Sequence, residues 1–267
     1  MEIPEFLDKK QLFEFLVANK SRIIAAKKAV MKCADPVIMP EGSSLTAIKS
    51  ESEGSADELQ AKVVINTTNL MDSHDDVHIP GLWNKSLREN RNMMHLQEHE
   101  MKFASIISDG VDLKAYVQDM TWKELGQKFT GSTQALVFDS TVKMSRNAYM
   151  FGQYKSGNVR NHSVGMVYVK LEMAINDPDF KDEYSTWKKY IDQVANRDQA
   201  EAKGYFFPVL EAKIIEGSAV PVGSNWVTPT ISITSSKEPP DEGTPKQPPQ
   251  GTEIDLMKAI REVKILI

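Results

Sequence analysis

Residues 205–222 read YFFPVLEAKIIEGSAVPV, a stretch dense in aromatic and β-branched residues. Such residues favour extended backbone, so the stretch predicts a strand. The preceding residues 179–204 are highly charged, follow an Asp-Pro pair and predict a helix. Residues 159–175, VRNHSVGMVYVKLEMAI, again favour β-structure. The alternation of strand and helix is the basis of the fold prediction.

The same signals continue towards the N-terminus. Strands are predicted at residues 61–68 and in both halves of 103–120, with Asp109-Gly110 as the turn between the halves. Residues 135–144 fit a strand, although a helix competes there. Helices are predicted at residues 81–99 and 146–157, the second ending at Gly157. This order of elements predicts a mostly antiparallel α+β body.

The N-terminal part differs from the body. Residues 5–32 predict an amphipathic helix, because apolar side chains recur at three-, four- and seven-residue intervals. Lys20 and Lys27 interrupt this apolar stripe. Residues 40–58 are rich in Ser, Gly and Glu and predict a mobile linker. Residues 1–58 are therefore expected to be a helical appendage with a linker.

The C-terminal part also changes composition. Residues 235–252 are rich in proline and predict an extended linker. Residues 253–267 predict a short amphipathic helix, either a docking element or the start of a second module. The predicted organisation is a body at residues 59–233 followed by an appendage at residues 234–267.

Composition excludes several classes of protein. The 267 residues carry a net charge of −5, whereas a surface for duplex nucleic acid normally has a basic excess. Apolar runs are short and interrupted by charges, so no membrane span is predicted. Residues 1–10 are polar and acidic, so no signal peptide is expected. The lone Cys33 excludes an intramolecular disulfide and a cysteine-based zinc cluster, and no cofactor is predicted.

One candidate site is the stretch HLQEHE at residues 95–100. On a helix, His95 and His99 would lie on one face with Glu98 beside them, as in the H-x-x-E-H pattern of inverted zinc proteases. A catalytic zinc needs three protein ligands and an activating carboxylate. No third ligand stands out in the sequence, so the zinc hypothesis remains an alternative.

A serine mechanism is a second possibility. It needs a nucleophile, a histidine base and a group that orients the base. Ser163 lies in a β-rich stretch next to Gly165, which allows a substrate backbone to approach closely. His162 would point to the opposite face of a strand, so His99 is the better candidate base.

A third possibility involves no chemistry. The histidines would then be surface residues, and the acidic stretch with Asp72, His74, Asp75 and Asp76 would be a solvated loop.

Four segments in order resemble the tailed-phage prohead serine proteases. DSHDDVHIPGLW, residues 72–83, resembles the family segment D-x-x-G-D-x-x-x-P-G-x-[FW], with Asp75 where glycine is usual. HLQEHE resembles the segment around the catalytic histidine, and HSVGM resembles the segment S-[IV]-G-[FYM] around the nucleophile. IIEGSAVPVGSNWVTP resembles the family ending L-x-E-V-S-L-V-x-x-P-A-N, and its departures from that ending are Gly217, Ala219, Gly223 and Ser224. The resemblance covers roughly residues 60–232.

The resemblance implies a fold and a set of roles. The family is distantly related to the herpesvirus assemblins, so it implies a mainly antiparallel β-barrel flanked by helices. It assigns the nucleophile to Ser163 and the base to His99. Glu216 stands where assemblins have a third triad histidine, with Glu211 as the second candidate for orienting His99.

The resemblance also bears on the surrounding residues. The backbone near Ser224 and Asn225 would form the oxyanion loop, which Gly223 would allow to approach closely. His95 would be structural, packing or lining the cleft, and Glu98 would be a solvated helix residue.

The function implied by the resemblance is capsid maturation. A serine endopeptidase inside the immature phage head, in the host cytoplasm, would cleave the scaffolding protein, the major capsid protein and itself. The portal is a further candidate partner, and the dimers of assemblins make a homo-oligomer another expectation. The alternative is a non-catalytic scaffold or binding protein of the phage head.

Overall fold

The structure is a computed structural model and describes residue 6 and residues 8–31, 49–51, 57–90 and 92–235. The predicted linker at residues 40–58 lies largely outside the described residues. The predicted C-terminal appendage lies outside them beyond Ser235.

Eleven strands are present in the described residues. They are β1 (Lys49–Glu51), β2 (Glu58–Thr67), β3 (Asp76–His78), β4 (Met94–Gln97), β5 (Ile106–Asp109), β6 (Leu113–Thr121), β7 (Ser132–Lys143), β8 (Asn161–Leu171), β9 (Ala174–Ile175), β10 (Tyr205–Val220) and β11 (Thr230–Ser235). They form a five-stranded sheet in the order β1-β11-β2-β7-β6 and a second sheet of six strands. The first sheet is antiparallel except for the pair of β1 and β11.

The second sheet is built around β10, which has 16 residues. Along one edge β10 pairs with β8 and β9 in antiparallel fashion. Along the other edge it pairs in parallel with β3 and then with β4, and β4 pairs with β5. The predicted strand at residues 205–222 is therefore the strand that connects most of this sheet.

The main core lies between the two sheets. It contains apolar side chains of β2, β7, β8 and β10, among them Val63, Phe138, Val164 and Ile214, which are nearly or completely buried. Alternate residues of these strands point into this core, and their burial provides the main driving force for folding. The α+β prediction is confirmed. The pairings of the described residues do not close into a barrel, so the barrel prediction is not confirmed.

The described part of the chain also contains six α-helices: α1 (Lys9–Ala18), α2 (Lys20–Ala29), α3 (Asn84–Glu89), α4 (Ala148–Lys155), α5 (Lys181–Tyr190) and α6 (Arg197–Lys203). The helix predicted at residues 5–32 is thus two helices that meet at Asn19, whose φ of −105° and ψ of 8° are not helical. The helix predicted at residues 179–204 is likewise divided. No helix in the described part of the chain is long and apolar enough to cross a membrane.

Two other predictions are wrong. The stretch at 81–99 is a short helix, α3, followed by the strand β4, because β4 gains backbone partners in β5 and β10 that a helix would lack. The halves of 103–120 are both strands, but they do not form a hairpin. Instead β5 pairs in one sheet and β6 in the other, with a 3₁₀ turn at Gly110–Asp112 between them.

The lysines that interrupt the apolar stripe of the N-terminal helices have partners in the body. Lys20 Nζ lies 2.6 Å from the buried carboxylate of Glu183. Lys27 Nζ donates to Asp76 Oδ1, and the Asp76 side chain is 0% exposed. Because Phe13 also packs into the main core, the two helices are attached to the body by apolar contacts and by ion pairs with the buried carboxylates of Glu183 and Asp76.

We predict that Asp76→Asn destabilises the fold by about 3–5 kcal/mol, because it leaves the largely buried ammonium of Lys27 without its counter-charge. The matched control is Asp179→Asn, which removes an exposed pair with Lys10 at 3.9 Å. That change should alter the free energy of unfolding by at most ~0.5 kcal/mol. Urea denaturation measures both, and equal effects of the two substitutions would contradict the prediction.

Candidate active site

His99 lies in a tight turn directly after β4. Glu98 and His99 have φ values of +53° and +58°, and Glu100 N–H donates to Gln97 C=O at 3.0 Å. Positive φ at both central residues is the pattern of a type I′ turn, which usually requires glycine or asparagine. Left-handed backbone at other residues is strained and is often found at functional sites. The turn aims the imidazole of His99 back over the sheet.

The imidazole contacts Glu216. His99 Nδ1 and Glu216 Oε1 are 2.6 Å apart, and the Glu216 side chain is 0% exposed. An ionised carboxylate only accepts, so Nδ1–H donates to it and Nε2 becomes the nitrogen that can take up a proton. Glu211, the second candidate, instead pairs with Lys85 at 3.1 Å and is partly exposed. The structure therefore places Glu216 in contact with His99, whereas Glu211 lies elsewhere and pairs with Lys85.

Strand register places Ser163 beside this pair. In the antiparallel pairing of β8 with β10, Ser163 is opposite Ser218 and Gly165 is opposite Glu216. Directly paired residues share a face of the sheet, so Ser163 lies on the face that carries Glu216. No direct hydrogen bond joins Ser163 and His99, both of which are described residues. In unliganded active sites such bonds are often long and tighten only when substrate binds.

Gly165 makes room for the acid. A Cβ at this position would lie 1.9 Å from Glu216 Oε1 and 2.7 Å from Met31 Cε. The carboxylate therefore rests directly on the glycine backbone, and Met31, just after α2, fills the space beside it. Ser163 is 5% exposed and the His99 side chain 10%, so the site is almost closed in this conformation.

The opposite face of the same strands carries a chain of buried polar groups. His162 Nδ1 is 3.0 Å from Thr228 C=O, and its Nε2 is 2.9 Å from Tyr154 OH. Tyr154 OH is 3.1 Å from His95 Nε2, and His95 Nδ1 is 2.9 Å from Ser140 Oγ. The two histidines belong to β8 and β4, so the chain ties the strand of Ser163 to the strand that leads to His99.

The partners fix the proton positions in this chain. A carbonyl only accepts, so His162 carries its proton on Nδ1 and accepts at Nε2 from the Tyr154 hydroxyl. The tyrosine oxygen then accepts from His95 Nε2–H. Burial lowers the pKa of His162 to about 4 and holds the pKa of His95 well below its usual value. Both imidazoles are therefore neutral at pH 7.

This geometry overturns the basis of the zinc hypothesis. His95 and His99 do not share a helix face, because β4 ends at Gln97 and the two side chains lie on opposite sides of the sheet. Both ring nitrogens of His95 already have partners. Among the described residues, no three His, Cys, Asp or Glu side chains are grouped where they could hold a metal ion. Glu98 is exposed, as expected, but lies in the turn rather than in a helix.

Asp72 and Asp76 are buried, whereas His74 and Asp75 are partly exposed, so the stretch is not the solvated loop that was predicted. Asp72 Oδ1 accepts from the backbone N–H groups of His74 at 2.8 Å and Asp76 at 3.0 Å. Burial and the nearby charge of Asp76 raise the pKa of Asp72 to about 7. Asp75, where the family has glycine, has a φ of +60°, a conformation that aspartate tolerates better than most residues.

Gly217 is a further departure that the structure explains. A Cβ on Gly217 would lie 2.6 Å from the ring of Phe138 and 3.0 Å from Ile65. Core side chains of the facing sheet therefore leave no room for a larger residue at position 217.

The predicted oxyanion loop lies against β8, the strand that carries Ser163. A Cβ on Gly223 would be 2.7 Å from the carbonyl oxygen of His162, the residue before Ser163. The hydrogen bonds among the described residues leave the backbone N–H groups of Gly223 and Ser224 without an acceptor. The Asn225 side chain is engaged elsewhere, since its Nδ2 donates to Thr67 C=O at 2.9 Å. The Asn225 amide is therefore not available to stabilise an oxyanion, whereas the backbone N–H groups of Gly223 and Ser224 are.

Sequence reasoning assigned no role to Ser218, Tyr154 or Met31. Ser218 follows Glu216 by two residues on a predicted strand, so alternation places both on one face, and this signal was available in the sequence. Tyr154 comes from α4 and Met31 from the residues just after α2, and no local pattern connects them to the strands they contact.

Comparison of the chain with protein-family models gave no match, and comparisons with curated proteins and with solved structures gave no significant similarity.

We predict that Gly165→Ala displaces the Glu216 carboxylate and destabilises the protein by about 1–3 kcal/mol, as overpacking does. Gly152→Ala is the matched control, because a Cβ at this position in α4 meets no atom within 4 Å. Replacing a glycine inside a helix with alanine should stabilise the protein by roughly 0.5–1 kcal/mol. Opposite signs in urea denaturation are expected, and a neutral Gly165→Ala would contradict the described packing.

We also predict a pH dependence that involves His162. Below pH 6.5 the unfolded chain binds a proton at this residue, whereas the folded chain does so only near pH 4. The contribution to stability is thus lost as pH falls through this window, with a slope of about 1.4 kcal/mol per pH unit. His162→Asn keeps a donor for Thr228 but does not titrate, so its stability should depend less on pH between 4.5 and 6. Parallel pH profiles for the two proteins would contradict the prediction.

Proposed function

We propose that this protein is a serine endopeptidase in which Ser163 is the nucleophile, His99 the general base and Glu216 the group that orients the base. The observation that carries the proposal is the 2.6 Å contact of His99 with the buried Glu216, on the face where Ser163 lies opposite Ser218. A buried acid that holds an imidazole beside a strand serine has the elements of a nucleophile-base-acid triad.

The proposed steps follow from the positions of these groups. Ser163 Oγ attacks the scissile carbonyl carbon, and its proton passes to His99 Nε2. The imidazolium that forms is stabilised by the Glu216 carboxylate through Nδ1–H. His99 then gives the proton to the leaving amine, and water hydrolyses the acyl-enzyme with His99 again as base.

The loop after β10 is proposed to stabilise the oxyanion. The N–H groups of Gly223 and Ser224 are unpaired within the described chain and lie beside the backbone that leads into Ser163. Backbone donors aimed at a developing negative charge are an effective means of lowering the barrier.

An apolar cavity near His99 supports the proposal that the substrate is a peptide. A hollow of about 270 Å³ is lined mostly by apolar side chains of β4, of the segment after His99 and of β5: Met94, Leu96, Met101, Phe103 and Ile106. Phe103 is 92% exposed, although burying its ring would be favourable. We infer that a large apolar side chain of the substrate covers this hollow.

The biological role is proposed from the resemblance of four sequence segments to the prohead proteases, and an assemblin-like barrel is part of that proposal. The substrates would be the scaffolding protein, the major capsid protein and the chain itself, cleaved inside the immature phage head. The portal would be a further partner, and this protein would assemble as a homo-oligomer.

We predict that the purified chain cleaves itself or a denatured protein such as casein, and that Ser163→Ala abolishes cleavage. Ser86→Ala is the matched control, because it removes the hydroxyl of an equally buried serine whose Oγ accepts from Ile214 N–H at 2.9 Å. Intact-mass spectrometry and gel assays report the products over time.

A chelator distinguishes the mechanisms. EDTA should leave the rate unchanged, whereas loss of activity with EDTA and its recovery with zinc would favour a metalloprotease. Cleavage that persists in Ser163→Ala would contradict the serine mechanism. No cleavage by any variant would favour the scaffold or binding protein.

A further inference from the structure

The Ser218 hydroxyl connects the two groups that flank it. Its side chain is 0% exposed and lies in β10, two residues after Glu216. Ser218 Oγ accepts from the backbone N–H of His99 at 3.1 Å and donates to Glu216 Oε2 at 2.5 Å. One hydroxyl thus contacts both the backbone of the base and the carboxylate that orients the base.

The direction of these bonds is fixed by chemistry. A backbone N–H can only donate, so the serine oxygen accepts from His99. Its single proton is then free to go to the carboxylate, which as an anion only accepts. A hydrogen bond to an ionised group is stronger than one between neutral partners. The two oxygens of Glu216 are consequently divided, Oε1 facing His99 and Oε2 facing Ser218.

The bond to His99 N–H also acts on the strained turn. Left-handed backbone at Glu98 and His99 is strained and persists only when the surroundings hold it. Two bonds from β10 do so, since Glu98 N–H donates to Ala219 C=O at 2.9 Å and His99 N–H donates to Ser218. The first bond is made by backbone and does not depend on side-chain identity, whereas the second requires a hydroxyl at position 218.

We propose that Ser218 is a positioning residue of the active site, which holds the Glu216 carboxylate and the left-handed turn of His99 in the geometry that directs the imidazole towards Ser163. This inference rests on the proposed serine mechanism and adds a fourth side chain to it. Ser218 does not touch the reacting atoms. It acts through the two residues that it contacts.

A direct physical readout tests the positioning without any cleavage. The Nδ1–H proton of His99, held against a buried carboxylate, should give a downfield, slowly exchanging NMR signal that disappears in His99→Gln. Ser218→Ala should abolish or strongly shift this signal. Ser218→Thr keeps the hydroxyl and should retain it, as should Ser86→Ala. An unchanged His99 signal in Ser218→Ala would overturn the proposal, whether or not the protein cleaves peptides.

A double-mutant cycle on turnover tests the link to Glu216. Loss of a hydrogen bond to a charged group should lower kcat in Ser218→Ala by about 10- to 100-fold, with little change in KM. In the Glu216→Gln background the same change should cost less than about 3-fold, because the partner charge is already gone. A merely structural role would lower the rate equally in both backgrounds, and that result would contradict the inference. Ser218→Thr should recover most of the rate.

The two kinds of failure are distinguishable. If the His99 signal responds to Ser218→Ala while the wild-type chain cleaves nothing, the positioning role stands and the endopeptidase proposal fails. If the wild-type chain cleaves and Ser218→Ala changes neither signal nor rate, the endopeptidase proposal stands and the role of Ser218 is wrong.

Discussion

The whole site depends on the register of β10 between two neighbours. On one edge β8 pairs with it so that Ser163 faces Ser218 and Gly165 faces Glu216. On the other edge β4 runs parallel to it and ends where the turn with His99 begins. A shift of one residue would move every side chain of β10 to the other face and would remove the acid from the histidine. The bulge between Ile214 and Glu216 determines which residues of β10 pair with Ser163 and Gly165.

The two faces of the sheet around β10 carry different sets of polar side chains. On one face, the short contact of His99 with Glu216 is held in a closed pocket above Gly165. On the other, neutral imidazoles and the Tyr154 hydroxyl join β4 and β8 through a continuous line of hydrogen bonds. A satisfied buried network of this kind costs little and specifies a unique arrangement, whereas an unsatisfied member would be expensive. The inner network thus fixes the strands whose outer faces carry the proposed chemistry.

Much of the α+β body could be predicted from local pattern, because β2, β7, β8 and β10 are long and rich in β-branched residues. The failures have a common physical origin. The strand β4 has four residues and no strong local signal, and it exists because β10, about 120 positions away, supplies hydrogen bonds. Lys27 interrupts the apolar stripe of the N-terminal helix in the sequence. Its partner is Asp76, 49 residues later, and only the folded structure shows this ion pair.

The candidate site was predictable in part for the same reason. Ser163, His99 and Glu216 were found by resemblance to a family, whereas composition and spacing alone left serine, zinc and non-catalytic hypotheses open. The choice between Glu211 and Glu216 depends on β-bulges that no residue pattern reveals. The positive φ values of Glu98 and His99 could not be anticipated either, because this conformation is uncommon for residues other than glycine.

The central claim is that Ser163 is an activated nucleophile, and covalent labelling tests it most directly. The intact protein would be treated with a fluorophosphonate, digested and mapped by mass spectrometry. The proposed mechanism predicts a single adduct on Ser163 in the wild-type chain, greatly slowed in His99→Ala and Glu216→Ala and normal in Ser86→Ala. An unlabelled wild-type protein, or an adduct on Ser163 that forms equally fast without His99, would contradict it.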